Sequence, residues 1–67
     1  MATANSNTVT AVHRIKEEID KLIEAQTDAI KRATYLGMTP DEATEYNERR
    51  GRITQLIQEL ESLTKAQ

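Results

Sequence analysis

Three arginines within four positions, Arg49, Arg50 and Arg52, are the densest source of chemistry in the chain. A guanidinium is a planar fork of N–H donors that pairs with phosphate or carboxylate through parallel hydrogen bonds. Lys31 and Arg32 add two cations. The two aromatic residues, Tyr35 and Tyr46, lie close to the same segments, with Asn47 beside the second. A hairpin would set Lys31 and Arg32 across from the arginines, and tyrosine faces can stack on a base. Arg49, Arg50, Arg52, Lys31, Arg32, Tyr35, Tyr46 and Asn47 are therefore the candidate site for a nucleotide or other small anion. The competing account is a solvated face on which Glu45 and Glu48 neutralise the arginines.

No catalytic set is expected. Nucleophilic catalysis needs a Ser, Cys or Thr beside a positioned base, and the one histidine, His13, falls near the start of a helical pattern. The carboxylates are spread along polar helical faces with basic neighbours within a turn, as on a solvated surface. Gly37 and Gly51 are isolated, so neither belongs to a phosphate-cradling loop. With one histidine, no cysteine and dispersed acids, neither a metal site nor a cofactor is expected.

These residues must be positioned by a chain of 67 residues, enough for one domain. So short a chain buries little of its surface and usually needs a disulfide, a metal or a partner chain. The absence of cysteine removes the first and fits a reducing compartment. Self-association is the option left. A net charge of −2 is the wrong sign for general nucleic-acid affinity, so nucleic acid is not the expected partner. No apolar run approaches the roughly 20 residues of a membrane span. Residues 1–8 are small and polar, without the basic start and apolar stretch of a signal peptide, so a flexible tail and a cytoplasmic location are expected.

The positioning elements are two helices. From Val9 to Leu36 the rows Val12, Ile19, Gln26, Ala33 and Ile15, Leu22, Ala29, Leu36 recur at seven-residue spacing, with Ile23 and Ile30 widening the stripe. Glu17 with Lys21 and Asp28 with Arg32 are candidate ion pairs one turn apart. Gly37 suits the left-handed residue that ends a helix. Thr39-Pro40-Asp41-Glu42 then reads as a capping box with proline in the first turn, and Met38 with Ala43 as a hydrophobic staple. A joint this short, about residues 37–39, forces an antiparallel hairpin. The second helix is expected over about 40–65, with Ala43, Tyr46, Arg50, Ile53, Ile57, Leu60 and Thr64 facing the first and Leu56 and Leu63 flanking. Folding at residues 37 and 38 would set Gln26 near Ile53 and Leu22 near Ile57. Gln26 and Arg50 interrupt the seam with polar groups, and Gly51 is a costly residue inside a helix.

The expected fold is thus all-α: a two-helix hairpin self-associating into a four-helix bundle or larger helical oligomer. Ile19, Ile23, Gln26, Ile30, Ile53, Leu56, Leu60 and Leu63 form its interface. The expected function is non-enzymatic binding as an adaptor, inhibitor or small regulator. One alternative is sequestration of a nucleotide or other small anion at an oligomer interface, and a weaker one is RNA or DNA binding.

Overall fold

In the computed structural model, which describes residues 6–65, the chain is an all-α antiparallel hairpin of α1 (Ser6–Leu36) and α2 (Pro40–Lys65). The joint is built as its residue types require. Gly37 ends α1 with a positive φ of 78°, and its N–H donates to the Ala33 carbonyl at 2.9 Å. Thr39 and Glu42 then close a reciprocal capping box. The Glu42 N–H donates to Thr39 Oγ1 at 3.1 Å and the Thr39 N–H to Glu42 Oε1 at 3.0 Å. Asp41 and Glu42 place negative charge in the first turn of α2 and Lys65 a positive charge in its last, both complementing the helix dipole.

Cross-helix polar links fix the register. Gln26 Nε2 donates to the Tyr46 carbonyl at 3.0 Å, Arg52 Nε to Glu18 Oε2 at 3.1 Å, and Arg32 lies 4.0 Å from Glu42. Gln26 was expected beside Ile53, about two turns further along α2. The difference lies in the joint: α2 starts level with Arg32, more than a turn before the end of α1, rather than level with that end. The end of α1 overhangs, and Tyr35 and Leu36 are exposed.

The seam on α2 also differs from the expected one. Tyr46, Arg49, Ile53, Leu56, Leu60 and Leu63 face α1, while Arg50, Ile57 and Thr64 are exposed. The two candidate stripes share Tyr46, Ile53 and Leu60. The observed one encloses two leucines where the other would enclose an isoleucine and a threonine hydroxyl, so it removes more apolar surface from water. Leu56, expected to face a second hairpin, is only 1% exposed within a single chain. The buried set among the described residues is small: Leu56, which is fully buried, with Ala29 and Gln26.

Helix α1 begins at Ser6, so residues 6–8 of the expected tail are helical, and the rest of that tail lies outside the described residues. The register accounts for the added turn. It brings the end of α2 level with residues 7–11, where Thr8 and Leu63 are both half-buried.

Candidate functional site

The hairpin divides the eight candidate binding residues between opposite sides. Successive helix positions are 100° apart, so Arg50 lies nearly opposite Arg52 around α2. Arg49 and Arg52 lie on one flank, where they line an open depression with Leu22, Glu45 and Glu48. Arg49 donates to the Glu45 carbonyl at 3.3 Å, and Arg52 holds Glu18 and reaches Gln55 Oε1 at 3.4 Å. Arg50 is exposed on the other flank and makes no ion pair among the described residues. Lys31 and Arg32 are not across from the arginines, because α2 meets them at its start, where Arg32 faces Glu42.

The aromatic residues do not converge either. Tyr35 is 86% exposed at the overhanging tip, whereas Tyr46 is half-buried in the seam. Asn47 is exposed on the side of Arg50. The flank bearing Arg49 and Arg52 carries Glu18, Glu45 and Glu48 as well, so its cations face their own carboxylates. Two expected intrahelical pairs are replaced: Glu17 takes His13 at 3.3 Å rather than Lys21, and Arg32 takes Glu42 rather than Asp28. Among the described residues no group of His, Cys, Asp and Glu is placed to hold a metal ion, and no helix is long and apolar enough to cross a membrane.

The expected interface residues separate in the same way. Ile19, Ile53, Leu60 and Leu63 are half-buried between the helices, and Gln26 is buried there with its Oε1 lacking a hydrogen-bond partner. Ile23 and Ile30 remain outside, 47% and 51% exposed. Seven-residue spacing sets them in one row with Val9, at 56%, and Lys16. In the observed register the matching row of α2 is Ala43, Arg50, Ile57 and Thr64, with Ile57 44% exposed. These rows share the flank away from the Glu18–Arg52 bridge. The hairpin therefore has one charged flank and one flank of branched aliphatic residues.

The second flank has a further property that composition hides. Thr27, Thr34, Thr54 and Thr64 border or belong to these rows, and each hydroxyl donates to a carbonyl one turn back in its own helix. The distances are 3.0 Å to Ile23, 2.9 Å to Ile30, 3.1 Å to Arg50 and 3.0 Å to Leu60. Sequence reasoning missed Ile57 and the threonines because it turned α2 by one position. The seven-residue recurrence of Arg50, Ile57 and Thr64 was the available signal. Set against protein-family models, curated proteins and solved structures, the chain shows no significant match to any of them.

Proposed function

We propose that the chain works by binding rather than catalysis, as a self-associating helical hairpin serving as an adaptor, inhibitor or small regulator. The carrying observation is its surface. It exposes 5308 Å², against about 4,300 Å² for a compact monomer of its 7.6 kDa mass. The excess of about 1,000 Å² per chain is close to the ~800 Å² that each partner contributes to a standard interface. Large apolar side chains make part of that excess, with Ile23, Ile30 and Ile57 each nearly half exposed. Association would cover them and leave the charged faces to meet another molecule. Sequestration of a nucleotide or other anion draws no support from the dispersed cations.

Sedimentation at micromolar concentration is expected to give a dimer or larger species, with a melting temperature that rises with protein concentration. A monomer with a sharp transition independent of concentration would refute the proposal.

A further inference from the structure

Resting on the self-association reading, we propose that the flank bearing Ile23, Ile30 and Ile57 is where a second copy of this chain docks, closing a four-helix bundle. Four observations converge on that flank.

The first is its apolar content: among the described residues Val9, Ile23, Ile30 and Ile57 account for most of the large exposed hydrophobic residues, the others being Tyr35 and Leu36 at the tip. The second is the state of its hydroxyls. A covered surface must not strand donors, because a buried unsatisfied polar group costs about 1–3 kcal/mol. The four threonines already spend their donors on their own helices, so covering this flank orphans none of them.

The third is charge. Lys16 and Arg50 in the rows are offset by Asp20 and Glu61 at the borders, giving a sparsely charged and balanced surface. The opposite flank instead carries Glu18, Arg32, Glu45, Glu48, Arg49 and Arg52, several already engaged with one another. The fourth is extent. The flank is two helices wide, about 20 Å, and as long as α2, about 39 Å. That is about 800 Å², one partner's share of a standard interface and near the surface excess noted above.

A single foreign helix would cover half of so wide a strip, whereas another hairpin matches its width and length. A two-fold axis along the bundle sets α1 against α2 of the second copy and keeps every neighbouring pair antiparallel. Levels along the bundle are then preserved, which brings Arg50 level with Asp20 of the partner subunit. Its aliphatic stem can lie over isoleucine while the guanidinium reaches the acid at the border.

The test uses the absence of cysteine from the chain. Ile57→Lys is expected to weaken self-association at least tenfold, while Gln58→Lys, one position round α2, leaves it unchanged. In parallel, a unique thiol from Ile30→Cys should react more slowly with a maleimide as protein concentration rises, and one from Gln58→Cys should react equally fast throughout. Should Ile57→Lys fail to fold, the thiol pair decides alone. An oligomer in which the Ile30→Cys thiol stays fully reactive, or in which both lysine variants assemble normally, overturns this face and spares self-association. A monomeric wild-type chain removes the self-association reading and the second copy with it, leaving the flank to a foreign partner.

Discussion

At the residue scale the most consequential group is the Glu42 carboxylate. The Thr39 N–H, and after it the Thr39 hydroxyl, hold its pKa below the ordinary glutamate value; desolvation opposes them, and the Arg32 charge adds the smallest lowering. A carboxyl whose pKa is depressed by folding stabilises the fold at pH values above its unfolded pKa. That contribution fades as pH falls through the folded value. Glu42→Gln is therefore expected to lower the melting temperature at pH 7 and to flatten its fall between pH 7 and pH 3, as followed by circular dichroism. Thr39→Ala should cost about 1 kcal/mol, the usual worth of an N-cap side chain, but keeps the backbone N–H that holds the Glu42 carboxylate, so most of the fall in melting temperature on acidification should remain. Gln26 works differently. Its Nε2 ties α1 to the Tyr46 carbonyl and helps set the register, while its buried Oε1 has no donor. Sequence alone flagged this polar interruption of the seam but gave the amide a neighbour about two turns too far along α2.

At the element scale α2 carries a weak point that its partner does not require. An added Cβ at Gly51 would meet nothing within 4 Å, so no close approach inside the hairpin explains the glycine. Its position on α2 also faces away from the isoleucine flank. Gly51→Ala should therefore stabilise the protein by up to about 1 kcal/mol through helix propensity, without changing its sedimentation. Weakened assembly in that variant would place another chain against the outer face of α2. The same helix shows where sequence reading stops. The joint was legible because Gly37, Thr39, Pro40 and Glu42 act on their own backbone and need no knowledge of a partner. The inward face of α2 was not, since Leu56 and Ile57 adjoin, as do Arg49 and Arg50. Local periodicity fits either stripe, and only the burial offered by α1 separates them. The candidate anion residues do not converge for two further reasons: Arg50 and Arg52 stand nearly opposite each other around α2, and the two-turn shift in register brings Lys31 and Arg32 level with the start of α2 rather than with the arginines.

At the scale of the whole molecule the hairpin is a rod of 54 × 14 × 13 Å, too thin for either helix to be surrounded. Three residues, 37–39, join the helices, and two stops bracket the bend: Gly37 by its left-handed backbone, and Pro40, the first residue of α2, by the hydrogen bond it cannot donate. The pair protects against a competing topology. Without a bend, residues 6–65 would form one helix of about 90 Å. Two such helices lying antiparallel could remake every seam pairing, Gln26 with Tyr46 and Glu18 with Arg52 included, as exchanged contacts between chains. Because the seam energy of the two forms would be nearly the same, the joint alone selects the folded-back one. Gly37→Ala combined with Pro40→Ala is therefore expected to convert the protein into an exchanged dimer of extended helices. Small-angle scattering would register it as a maximum dimension near 90 Å. Retention of the wild-type dimension in the double variant would mean that Thr39 and Glu42 hold the bend unaided.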